Sequence, residues 1–263
     1  MENKSILQRM YKFKSIAHIK LHSFIKTIGR LVLLLLTSSA LHAESQFEGF
    51  YEQAGIGFTK TNFNLTTTPL TVSTYSFPTS TSVNNTTNLS GELSAGYFKT
   101  IKNNFLLGLM VDAHPFASPT NAFGVSIATT PTASTVSGGL KNQGNMALNL
   151  TPAWEITAES LAYLKLGYVW GTIQKNTTLT STSGVTTSTQ SLNLTGTNFG
   201  FGFKRIIDNQ LFAFTEINIV YKNDSTQANS IPITLAGHSL TANYSATAGG
   251  SYYNALVGLG YRF

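Results

Sequence analysis

The sequence contains no cysteine, so neither a disulfide nor a thiolate centre can form. That suits a chain exported through an oxidising compartment. Charge is scarce as well. Asp, Glu, Lys and Arg make up 11% of the residues, against about a quarter in ordinary soluble domains. No stretch after Ala43 is apolar for 18 residues, which excludes a transmembrane helix. After that point there are two histidines, His114 and His238, which leaves little material for acid–base or metal chemistry. Low charge without a long apolar run predicts strands that each have one greasy face.

The N-terminus is what a secretory signal requires. Residues 1–30 hold seven basic residues and one acid, Glu2. An unbroken apolar run, Leu31 to Leu36, follows, and then small residues up to Ala43. A basic region, a short apolar core and a small residue before the cut define a cleavable signal peptide. The apolar run falls well short of the roughly 20 residues a spanning helix needs. The expected division is therefore a signal peptide at 1–43, cleaved after Ala43, and one domain at 44–263. The basic region is long, so Met10 is an alternative start. Removing the seven basic residues and one acid from totals of 17 and 11 leaves ten of each. The basic character thus belongs to the signal and gives no support for nucleic-acid binding.

The rest of the chain alternates between two textures. Segments with period-2 alternation of bulky and small or polar residues read as strands. Eight are expected: 47–59, 88–101, 104–116, 144–156, 160–173, 191–206, 210–222 and 251–263. Three connections are tight, at 102–103, 157–159 and 207–209. Four are long and rich in Thr, Ser and Asn, at 60–87, 117–143, 174–190 and 223–250. Long and short connections alternate strictly. Membrane barrels have short turns at one end, long loops at the other and an even number of strands.

The faces point the same way. Tyr253, Ala255, Val257, Leu259, Tyr261 and Phe263 share one side of the last strand, while Asn254, Gly258, Gly260 and Arg262 share the other. Phe199, Phe201 and Phe203 oppose Asn198 and Lys204, and Leu164, Leu166, Tyr168 and Trp170 oppose Lys165. A sheet in hydrocarbon must close on itself, because an open edge leaves backbone groups unpaired. The expected fold is all-β: an eight-stranded antiparallel transmembrane β-barrel with lipid-facing bulky residues. Tyr51, Tyr97, Trp154, Tyr168, Trp170, Tyr221, Tyr253 and Tyr261 are expected in two aromatic girdles. Two residues fit poorly: Glu52 falls on the lipid face, and Pro152 interrupts a strand.

The ending NALVGLGYRF, with Phe263 last and Tyr261 two residues before it, resembles the C-terminal strand of bacterial outer-membrane proteins. The opening FEGFYEQAGIGF is similar to the first strand of small opacity-type barrels, a broad family that includes the outer membrane protein A transmembrane domain. The resemblance covers roughly residues 47–263. It implies the cell outer membrane, contact with lipid and lipopolysaccharide, and a final strand read by the barrel-assembly machinery through Tyr261 and Phe263.

The inward face is expected to carry a polar network of Glu92, Asp112, His114, Glu155, Lys165, Lys204, Glu216 and Arg262. Unpaired ions in a narrow lumen are costly, so these should pair. An eight-stranded barrel is just wide enough to be filled by side chains, which favours a salt-bridged plug over a pore. His238-Ser239 and His114 are too few for an enzyme. Gly200-Phe201-Gly202 has no following helix and so is no phosphate loop. No cofactor or metal and no nucleic acid is expected, and the chain is read as a monomer. The long loops, with Tyr75, Phe77 and Phe123 among hydroxyl side chains, are the expected functional surface. The function inferred is structural or surface interaction, as an adhesin or surface antigen with host surface molecules as candidate partners. The alternatives are a small porin with a gated lumen and a lipid-modifying enzyme. The Thr-rich loops could also pair as strands that extend the barrel above the membrane.

Overall fold

The computed structural model describes residues 45–72, 75–77, 79–115, 121–127, 134–181, 184–235 and 238–263. The expected signal peptide and its cut at Ala43 lie outside them. The strands are β1 (Gly49–Thr67), β2 (Leu70–Val72), β3 (Tyr75–Phe77), β4 (Thr79–Val83), β5 (Thr86–Lys102), β6 (Phe105–His114), β7 (Asn121–Ile127), β8 (Ser134–Thr157), β9 (Ser160–Ser181), β10 (Gly184–Asp208), β11 (Leu211–Leu235) and β12 (His238–Arg262).

Eight of these, β1, β5, β6 and β8 to β12, form an antiparallel ring in sequence order. The ring closes where β12 pairs with β1, from Tyr51 against Arg262 to Thr67 against Ala246. At the turn end the Phe263 amide donates to the Phe50 carbonyl at 3.0 Å, which completes the seam. All eight expected strands are present. The tight turns fall at Asn103-Asn104, Ala158-Glu159 and Asn209-Gln210. Asn103 adopts a positive φ of 44°, a left-handed conformation that Asn tolerates better than most residues.

The long connections differ from simple loops. Strands β8 to β12 run for 22 to 25 residues, whereas a tilted strand crosses hydrocarbon in about 9–11. Residues 174–190 and 223–250 are therefore mostly strand, folded as direct continuations of the barrel wall. Alternating Thr, Ser and Asn can hydrogen-bond across strands without an apolar face. Thr226 and Thr247 hydroxyls meet at 2.7 Å, and Ser230 donates to Asn243 at 2.7 Å. The short strands fill the remaining wall: β2 pairs with β12, β4 with β7, and β7 with β8.

The bulky face points outward. Phe58, Leu164, Leu166, Phe199, Phe201, Val257 and Leu259 are all exposed, which in this sheet means facing lipid. Aromatic residues border the band. Phe50 packs on Tyr97, Phe105 on Trp154 and Tyr261 on Phe263 at the turn end. Tyr168, Trp170, Tyr221 and Tyr253 lie toward the other end. Tyr51 is a correction: it is buried inside the barrel, because it shares the inward parity of Gln53. Pro152 introduces no register shift. The β8–β9 ladder lacks pairs at Thr151 and Pro152 and keeps its register on both sides, as expected of a residue without an amide donor.

Candidate functional site

Side chains of the inward face fill the lumen in successive layers. At the turn end, Phe47, Tyr51, Phe98, Leu106, Leu161, Tyr163, Phe212 and Phe214 form an aromatic plug. Glycines of neighbouring strands make room for its rings. A Cβ on Gly202 would strike the Tyr163 ring, and one on Gly258 would meet Phe214.

Above the plug is the ionic layer. Lys165 Nζ on β9 lies 2.7 Å from Asp112 Oδ2 on β6, 2.7 Å from Glu216 Oε2 on β11 and 3.5 Å from Glu92 Oε1 on β5. Four strands of the ring thus converge on one ammonium. His114 Nε2 lies 3.0 Å from Glu92 Oε2. The amides of Gln53 and Asn218 donate to Glu216 at 2.9 and 3.2 Å, Ser94 donates to Glu92 at 2.9 Å, and Asn149 donates to Asp112 at 2.8 Å. The Tyr163 hydroxyl donates to Glu216 and so joins the ionic layer to the plug. Lys165 and Asp112 are fully shielded from solvent. In such surroundings a charge is costly unless it is paired and hydrogen-bonded.

Lys204 departs from expectation. Its ammonium pairs with no carboxylate among the described residues. It sits 3.3 Å from the centre of the Tyr51 ring, with Phe212 at 4.6 Å and Phe98 and Tyr163 both at 5.3 Å. The electron-rich ring faces take the place of a counter-ion. Glu155 and Arg262 also stand apart from the network. Glu155 is half-buried at the turn end, and Arg262 donates to the Asn209 carbonyl at 2.9 Å. Both have inward parity but lie where their strands leave the barrel.

A small apolar layer of Ala147, Val169, Val220 and Tyr252 follows. Next, Lys222 donates to Asn145 at 2.6 Å and to Asn142 at 3.2 Å. The last layer lies inside the extended wall and contains Phe63, Leu65, Phe123, Leu140, Ile173, Leu192 and Leu194. Phe123, which the sequence places on a loop surface, is buried here. Beyond the membrane band, burial lowers the basicity of Lys175. At the turn end, burial would raise the pKa of Glu48, but hydrogen bonds from Lys99 (2.6 Å) and the Thr100 amide (2.9 Å) outweigh it and hold the carboxyl below its ordinary range.

Several members of the lumen set carried no charge to draw attention in the sequence: Gln53, Tyr51, Tyr163, Asn149 and Asn218. Strand parity could have found them, since each lies an even number of residues from a charged member or a glycine of the inward face.

No protein-family model and no curated protein matches this sequence. Solved structures do match in fold. The outer membrane protein OprG from Pseudomonas aeruginosa overlaps with a TM-score of 0.50 at 13% identity, over 84% of this chain and 99% of that one. The outer membrane protease OmpT from Escherichia coli overlaps at 0.42, with 10% identity, over 85% and 99%. The attachment invasion locus protein Ail of Yersinia pestis overlaps at 0.35, with 12% identity, over 78% and 99%. The likeness to OprG shows the architecture, an eight-stranded antiparallel β-barrel of the outer-membrane type. The looser overlaps add nothing to it.

Proposed function

We propose that this chain, with the fold of outer-membrane β-barrels, is a surface-display protein of the outer membrane: a closed barrel that holds a tall hydroxyl-rich wall outside the cell for contact with external surfaces. One contrast carries the reading. The membrane-level lumen is filled, by an aromatic plug and by the Lys165 layer, while β8 to β12 continue far past the outer aromatic residues. Sequence has been spent on height rather than on a channel. The outer wall is built of Thr, Ser and Asn, with few charges, so it offers hydrogen bonds rather than ionic attraction. Its apolar interior, from Phe63 to Leu194, keeps it stiff, and rigid scaffolds are where recognition surfaces are usually carried.

A gated porin is the second reading, and the Lys165 hub is what favours it. A pore would require that hub to break and the aromatic plug to move as well. Planar-bilayer recording separates the two. The display reading expects no stable openings from the purified protein at neutral pH. Steady openings of tens of picosiemens or more would replace it with the porin. Binding to host-cell or abiotic surfaces should fall when residues 226–246 are shortened to a tight turn. Unchanged binding would remove that hairpin from the contact surface.

A further inference from the structure

The lipid-facing wall formed by β6, β5, β1, β12 and β11 contains a groove of about 630 Å³ with a carboxylate in it. Strand register gives its layout. One row across the wall reads Val111, Ala95, Glu52, Tyr261, Leu211, and the next row up the barrel reads Ala113, Leu93, Ala54, Leu259. Ala95, Ala54 and Ala113 are the low points, and Leu93, Val111, Leu259 and Tyr261 are the rims. Glu52 lies at the turn-end side of this floor, one row above the aromatic row of Tyr97, Phe50 and Phe263. Its side chain is exposed, and among the described residues no hydrogen bond or ion pair engages its carboxylate.

An acid on the lipid face is tolerated at the headgroup border, where a cation from the lipid side can neutralise it, and grows costly deeper in hydrocarbon. We propose that this groove binds an aminophospholipid, with the primary ammonium of the headgroup on Glu52 and an acyl chain lying over Ala54 and Ala95 between Leu93 and Leu259. The placement suits an amphiphile. The charge sits at the aromatic border, where headgroups lie, and the apolar floor extends from it toward the bilayer centre. Glu52 is the one charged residue lining the groove, so an anionic lipid would meet repulsion with no compensating cation. A second copy of the chain is a poorer occupant. A two-fold contact through this wall would place two Glu52 carboxylates on the same interface. A primary ammonium can donate hydrogen bonds to a carboxylate, whereas a trimethylated one offers charge alone.

The test uses native mass spectrometry of the full protein, purified from membranes in a non-ionic detergent. It is titrated with phosphatidylethanolamine, phosphatidylcholine and phosphatidylglycerol carrying the same acyl chains. Phosphatidylethanolamine should bind roughly tenfold better than phosphatidylglycerol, the worth of one charge-assisted hydrogen bond, with phosphatidylcholine between them. Glu52→Gln should abolish that preference while leaving heat-modifiable gel migration unchanged. Ala95→Leu, which fills the floor, should weaken all three lipids. The proposal is overturned by equal binding of the three lipids, by a preference that survives Glu52→Gln, or by a Glu52-dependent dimer in place of lipid adducts.

Discussion

Lys165 Nζ lies 2.7 Å from Glu216 Oε2, reaching over β10 from β9 to β11, and the same ammonium holds Asp112 and Glu92. Replacing Lys165 with Met would leave three buried carboxylates facing one another. Removing one partner of a buried ionic cluster costs about 3–5 kcal/mol. Lys165→Met should lower the unfolding free energy, read from urea titration of the fast-migrating folded form, by that much. Glu216→Gln, which keeps an acceptor for Lys165 and Tyr163, should cost less than half as much. Equal effects of the two variants would mean that Lys165 is not the hub.

Lys204 gives the opposite expectation. Its ammonium is enclosed by Tyr51, Phe212, Phe98 and Tyr163 and pairs with no carboxylate among the described residues. Cation–π attraction favours it by about 2 kcal/mol when desolvated, and burial of the ion opposes that gain. Lys204→Met should therefore leave stability within about 1 kcal/mol of the parent. Lys204→Glu should prevent folding, because the ring faces repel an anion. The two lysines look equivalent in sequence, so a stability loss for Lys204→Met as large as that for Lys165→Met would count against the aromatic enclosure.

The contrast between these lysines marks how much the sequence can tell. Period-2 alternation located every strand of the ring, because a membrane sheet forces apolar and polar residues onto opposite faces. The same parity brought Glu92, Asp112, Lys165 and Glu216 inward. It could not say which strands stand opposite across the lumen, so Lys204 was expected to find an acid and finds rings. Tyr51 reads as a girdle residue in sequence because an aromatic near a strand end fits either face until its parity is fixed by Gln53 and Gly55. The outer wall was hard to read for another reason. Its Thr-rich strands have no greasy face, so composition alone resembles a loop.

Glu48 supplies a pH-dependent clasp. Its carboxylate accepts from Lys99 and from the Thr100 amide, and so holds Phe47 in the mouth of the barrel. The folded pKa is lowered, so the unfolded form takes up protons first as the pH falls. The clasp therefore contributes fully above the ordinary carboxylate range and fades as pH falls through the lowered value. Amide exchange at Phe47 and Thr100 should be slow at neutral pH and should accelerate once the pH falls below the ordinary carboxylate range, after correction for intrinsic exchange. Glu48→Gln should exchange fast at both. A pH-independent parent would show that Glu48 is not the clasp.

Phe263 has two separable roles. Its amide closes the seam on the Phe50 carbonyl, and its exposed ring packs against Tyr261 with centroids 5.3 Å apart. Deleting the residue removes both, whereas Phe263→Ala removes the ring alone. If the ring is read during assembly, Phe263→Ala should refold in detergent as efficiently as the parent. The same variant should reach the membrane several-fold less well in cells. Equal loss in both settings would make the ring a packing element only, and no loss in either would remove Phe263 from assembly. The deletion should be worse than Phe263→Ala in detergent, because it also leaves the Phe50 carbonyl without its partner at the edge of hydrocarbon, where an unmade backbone hydrogen bond is costly.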